Sequence, residues 1–108
     1  DVFGGWGMAN MDLAGAVPAV VRAGGRIATV AVNGMRFHQP ISVGDLVTCY
    51  AEITAMGITS ITVLVETWSK RRLTAEQVKV TEGTFVYVAI DENGTKRALP
   101  PFDSATSD

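Results

Sequence analysis

An α+β fold, with one apolar helix followed by about four long antiparallel strands, is what this sequence predicts. Three observations lead there. Residues 5–23 are small or apolar on every side of a helical wheel. From residue 26 the pattern changes to alternation of period two, with β-branched residues enriched. Glycine-, proline- and asparagine-bearing turns then break that alternation at regular intervals.

The helix is predicted over residues 5–23. Gly4 and Gly5 stand just before it, and Gly24 and Gly25 supply its stop. Met8, Met11, Leu13, Val17 and Val20 point to different sides of the wheel, with alanines between them. A helix apolar all round is a buried helix. Pro18 in its interior should remove one hydrogen bond and produce a kink.

The first strand after the helix is predicted at 26–38, with a possible bulge at Asn33 and Gly34. Residues 40–45 read as a turn. Residues 46–56 alternate, with Val47, Cys49, Ala51, Ile53 and Ala55 on one face. Residues 60–70 form the clearest strand, with Ile61, Val63 and Val65 opposite Thr62, Glu66 and Lys70. The last long strand runs over 77–90, and Asp91, Glu92, Asn93 and Gly94 make a strong turn signal. A lone helix that is apolar all round has to be enclosed, and a curved antiparallel sheet can wrap it. That is the hot-dog architecture.

The 108 residues suit one domain, expected over 1–103, with 104–108 as a frayed tail. With 47% hydrophobic and 19% charged residues the chain reads as globular, although its core is small enough for oligomerisation to help. Nine Lys+Arg against eleven Asp+Glu argue against a nucleic-acid binder, which needs a broad basic surface. One cysteine, Cys49, excludes an internal disulfide and suits a reducing, cytoplasmic setting. No apolar run reaches the ~20 residues of a membrane span, and no basic leader opens the sequence.

Asp12 is the outlier. It is the only carboxylate between Val2 and Gly44, and it sits inside the apolar helix. Burying an unpartnered carboxylate costs several kcal/mol, so Asp12 is paired, protonated or functional. Pattern alone leaves a structural role open. Gly4 and Gly5 allow close approach to the backbone, where the first N–H groups of a helix can bind an oxyanion. Taken alone, the pair is weak evidence and a plain loop-to-helix turn is the better reading of it. Lys70, Arg71 and Arg72 form the one basic cluster, beside Trp68. They could hold phosphates with Trp68 as a stacking surface, or be a solvated strand end. His38, the only histidine, stands at a strand end before Pro40, which suits a surface or turn role better than catalysis. With no second histidine and a single cysteine a zinc site is not supported, and a Ser-His-Asp triad would have to use His38 with no G-x-S-x-G elbow to supply its serine. There is no P-loop and no GxGxxG fingerprint.

The run Asp1, Val2, Phe3, Gly4, Gly5, Trp6, then Met8, Met11, Asp12, Gly15 and Ala16, closely resembles the YciA-like acyl-CoA thioesterases. The resemblance continues through Val32 to Phe37, through 40–45, Cys49 and Tyr50, Thr59 and Ser60, Glu66, and Trp68 to Lys70. It closes with 85–89 and with Arg97, Ala98, Leu99 and Pro100. Each piece is weak and the combination is specific. The resemblance implies a hot-dog dimer, commonly a trimer of dimers, that hydrolyses acyl-CoA to a carboxylic acid and free CoA without metal or cofactor. It implies Asp12 as the catalytic acid of the family's Met-Asp motif, at an active site built by both subunits. The family also carries a first strand and an Asn-containing loop ahead of the position of Asp1, so the sequence is expected to start inside the family's domain. Pro18 departs from the family's pattern.

In the resulting expectation, Asp12 activates water and the N–H groups near Gly4 and Gly5 hold the oxyanion. Lys70, Arg71, Arg72 and Trp68 bind CoA. Two rival readings remain: a hot-dog enoyl-CoA hydratase or dehydratase, and a non-catalytic acyl-CoA-binding module.

Overall fold

Helix α1 (Val2–Ala23) is followed by β1 (Ile27–Phe37), β2 (Leu46–Met56), β3 (Ser60–Lys70) and β4 (Gln77–Ala89). The computed structural model describes residues 2–101, and side chains from Gly7 onward. The predicted domain end at 103 and the tail at 104–108 lie outside the described residues. The four strands form one antiparallel sheet in the order β1-β4-β3-β2, with the helix across one face. This is the predicted α+β arrangement.

The bounds of β2 and β3 fall where alternation placed them, but a register slip between Ile53 and Ala55 sets Ala55 opposite the outward-facing Thr62 and not on the face it was predicted to share with Ile53. On β3, Ile61, Val63, Val65, Thr67 and Ser69 are buried beneath the helix, and the intervening residues face away. On β4, Phe85, Tyr87 and Ala89 continue the same buried face. The expected bulge in β1 is present: the β1–β4 register slips between Asn33 and Arg36, and Gly34 takes φ +62°. That left-handed conformation is one that glycine adopts without a Cβ penalty. A further slip, between Thr67 and Trp68 on β3, lets β4 bury both Val80 and Thr81 and sets Lys79 opposite Trp68.

Two expectations for the helix are corrected. It starts at Val2 and not at residue 5, so Gly4 and Gly5 lie within its first turn and not before it. Two glycines weaken a helix by about 1 kcal/mol each, yet they do not stop one that continues for five more turns. The helix is also not enclosed on all sides. Met11, Gly15, Ala19 and Ala23 repeat every four residues and press onto the sheet. The opposite side is open, with Leu13 at 68%, Val17 at 67% and Val21 at 78% exposure. Four strands of one chain cover one face of a helix, and an apolar wheel does not say what meets the rest.

The helix C-terminus is well finished. Gly24 takes φ +70° and donates its N–H to Val20 O at 2.9 Å, the left-handed stop expected of a glycine there. Arg97 Nη2 donates to Ala23 O at 2.9 Å, which places a cation at the negative end of the helix dipole. Pro18 is accommodated within the helix. The 91–94 turn forms as expected: Asp91 Oδ1 accepts the N–H groups of Asn93 and Thr95. Among the described residues no helix is long and apolar enough to cross a membrane.

Candidate active site

The β1–β4 register creates the site. Thr29 and Tyr87 are directly paired across the two strands, so their side chains leave the sheet on the same face at the same level. Both reach Asp12 on the helix above. Thr29 Oγ1 donates to Asp12 Oδ1 at 2.8 Å, and Tyr87 OH donates to the main-chain oxygen of Asp12 at 2.7 Å. Asp12 is half-buried, and its Oδ2 has no protein partner among the described residues. The outlying carboxylate is therefore held by one oxygen and presents the other.

Gly15 makes this approach possible. A methyl group there would run into the Tyr87 hydroxyl and come within 3.0 Å of Val65 Cγ2. The ring of Tyr87 is fully buried, stacked near Phe85 with centroids 6.4 Å apart. Burial raises the phenol's pKa well above its ordinary value, and the negative charge and hydrogen bond of Asp12 push the same way. Tyr87 is thus a neutral, permanent donor.

Gly4 and Gly5 lie two turns toward the N-terminus, about 10 Å along the axis from Asp12. Their position in the first turn is where helical N–H groups lack an intrahelical acceptor. A carbonyl oxygen and an attacking water each need a hydrogen bond of about 3 Å. On one helix, these donors and Asp12 are too far apart to serve the same thioester.

The basic cluster lies elsewhere on the chain. Ile61 is opposite Tyr87, and Lys70 is nine residues further along β3, about 30 Å away at strand spacing. Arg71 is committed: its Nη1 pairs with Asp45 Oδ2 at 2.6 Å and donates to Pro40 O at 3.0 Å. Trp68 is on the sheet face away from the helix. Its indole N–H donates to Glu66 Oε1 at 3.0 Å, and Lys79 Nζ lies over its ring at 5.8 Å. Lys70 and Arg72 are exposed and make no ion pair with another described residue. Within one chain, then, the cluster and Asp12 do not meet.

The outer sheet face carries a chain of charges. Glu66 and Glu82 are directly paired across β3 and β4, an unfavourable arrangement that Lys79 relieves at 3.1 Å and 3.5 Å. His38 Nε2 closes the chain on Glu82 at 2.7 Å, which gives the sole histidine the surface role its sequence position suggested. The hydrogen bond from Trp68, then Lys79, lowers the pKa of Glu66, while His38 foremost lowers that of Glu82. Lys79 is raised in turn, mainly by Glu66. A shallow groove of about 380 Å³ runs between His38, Trp68 and Lys79.

Sequence reasoning did not find Thr29 or Tyr87. A threonine and a tyrosine in strands are ordinary, and only strand register shows that they meet one aspartate. The available hint was Gly15, since a glycine in a helix interior can mark a close approach of another element.

Comparisons with known proteins bear on the family and the fold. A sequence profile of the thioesterase superfamily matches residues 1–76. The acyl-CoA thioester hydrolase YciA of Salmonella typhimurium is 46% identical over 103 residues, spanning 93% of this chain and 77% of the relative. Among solved structures, HI0827, described as a hexameric broad specificity acyl-coenzyme A thioesterase, superposes with a TM-score of 0.89 at 44% identity, over 97% of this chain and 73% of the other. The hexameric thioesterase y2039 from Yersinia pestis gives a TM-score of 0.87 at 45% identity, over 93% and 81%. On sequence, fold and topology together, this chain belongs to the thioesterase superfamily, with the hot-dog fold.

Proposed function

We propose that this protein hydrolyses acyl-CoA thioesters, with Asp12 as the general base. The observation that carries the reading is the Asp12 carboxylate itself, fixed at Oδ1 by Thr29 and open at Oδ2. Water attacks the thioester carbonyl as Oδ2 takes its proton. The tetrahedral oxyanion then collapses, expelling CoA as the thiolate and leaving the carboxylic acid. Water and a carboxylate complete this chemistry, so it calls for no metal or cofactor. The naming of the similar proteins as acyl-CoA thioester hydrolases supports the same reaction.

The site is completed by a second copy of the chain. The first-turn N–H groups at Gly4 and Gly5 stabilise the oxyanion over the Asp12 of a neighbouring subunit, which removes the 10 Å mismatch within one helix. The open apolar side of α1, with Leu13, Val17 and Val21, gives such a neighbour an apolar surface to cover. Dimers then assemble threefold, in line with the hexamers named among the relatives.

Thiol release from a panel of acyl-CoAs tests the reaction. A protein that binds these substrates without releasing thiol would overturn it, and loss of enoyl-CoA absorbance without thiol would indicate hydration instead. Single turnover in heavy-oxygen water tests the base: label found in the protein would mean that Asp12 attacks directly through an anhydride.

For the CoA phosphates we assign Lys70 and Arg72, the cations of the cluster that no carboxylate occupies, acting on substrate held mainly by another subunit. Arg71 supports them through its bond to Asp45. Lys79 already lies over one face of Trp68, which takes that face from an adenine ring. Replacing both Lys70 and Arg72 with alanine is expected to raise KM for acyl-CoA about tenfold with kcat little changed. Kinetics with a short thioester lacking the nucleotide provide the control, since its KM should not move.

A further inference from the structure

We propose that Tyr87 is a positioning residue for Asp12, setting the height and roll of the helix so that the carboxylate meets the substrate. The inference rests on Asp12 being the base. The face that α1 turns to the sheet is mostly small, with Gly7, Gly15, Ala19 and Ala23 along it. Small residues let the helix approach the sheet closely but give few side-chain knobs to index its height and roll, Met11 being the one large buried contact. Tyr87 supplies the missing direction. It rises from β4, an interior strand flanked by β1 and β3, and its hydroxyl donates to the backbone of Asp12 itself at 2.7 Å. A helical carbonyl has a second lone pair available for such a donor.

The contact is specific to this level of the helix. Gly15 is one turn away on the same side and gives the phenol its space. Thr29, the cross-strand partner of Tyr87, holds the carboxylate while Tyr87 holds the main chain. Backbone and side chain of the same residue are thereby tied to one rung of the sheet. A misplacement of about 1 Å in a catalytic group can cost about a hundredfold in rate, so a single directed bond here has kinetic weight.

Tyr87→Phe keeps the buried ring and removes only the donor. It is expected to lower kcat about tenfold or more, with KM changed less than about twofold and only a small fall in thermal midpoint. In an Asp12→Asn background the same change should cause no further loss of the residual rate, because the group it positions is gone. Gly15→Ala should destabilise the protein by driving a methyl into the hydroxyl. Adding Tyr87→Phe to it should recover part of the thermal midpoint while leaving kcat low, which separates packing from positioning. Wild-type kcat in Tyr87→Phe, an additive loss in the Asp12→Asn background, or recovery of kcat in the Gly15→Ala, Tyr87→Phe pair would each overturn the proposal. If Asp12→Asn is inactive while Tyr87→Phe is not, positioning alone fails. An Asp12→Asn enzyme with normal turnover overturns the base reading and this inference with it.

Discussion

An Asp12→Asn variant is expected to turn over acyl-CoA about 10²–10⁴-fold more slowly than the parent. Asparagine matches the shape of aspartate, and its amide oxygen can still accept the Thr29 hydroxyl that now lies 2.8 Å from Oδ1. The backbone bond from Tyr87 is untouched by the change. What is lost is the oxygen that takes a proton: the amide NH₂ at the Oδ2 position is a donor and cannot deprotonate water. The loss should therefore appear in kcat and kcat/KM together, with the affinity for the product CoA within about threefold of the parent. Steady-state thiol release and calorimetric CoA titration make both measurements. Undiminished turnover would remove Asp12 from the mechanism.

The largest stability effect is expected at Asp45. Its side chain is 3% exposed, and its Oδ2 alone collects Ser42 N at 2.9 Å, Ser69 Oγ at 2.7 Å and Arg71 Nη1 at 2.6 Å. One carboxylate thus joins the 40–45 turn, the end of β3 and the start of the basic segment. The Ser42 amide first, then Ser69 and Arg71, hold its pKa down at about 2 from the ordinary 3.8. A carboxyl depressed on folding contributes stability that is full above its unfolded value and lost as pH falls through the folded one. The parent should therefore lose thermal stability between about pH 4 and pH 2, with Glu66 and Glu82 adding in the same direction. Asp45→Asn should start on the order of 10 °C lower at neutral pH, since it leaves Arg71 without its anion. It should also show a shallower decline across that acid window. Thermal melts of both proteins from pH 7 to pH 2 test this, and parallel curves would count against it.

Alternation made the bounds of β2 and β3 legible, because each has one face toward the core, but the slip after Ile53 that turns Ala55 outward has no signature in that alternation. The start of α1 was not legible. Gly4 and Gly5 read locally as breakers, and what overrides them is packing of the later turns against the sheet. Asp12 stood out because a charge in an apolar helix conflicts with its surroundings, and that conflict is visible in one dimension. Thr29 and Tyr87 conflict with nothing in their strands; their meaning lies in a pairing across 58 residues of chain. Arg71 shows the same limit from the other side. It read as one of three equivalent cations, yet its partner Asp45 lies 26 residues earlier and holds its Nη1.

The open side of α1 has a thermodynamic consequence. If Leu13, Val17 and Val21 are covered only when another copy binds, the folded protomer draws part of its stability from mass action. Its melting temperature then becomes a function of concentration, and dilution weakens fold and turnover together. A catalyst that self-associates in this way would also sense its own abundance, sparse chains being less stable and less active than the same chains in a crowd.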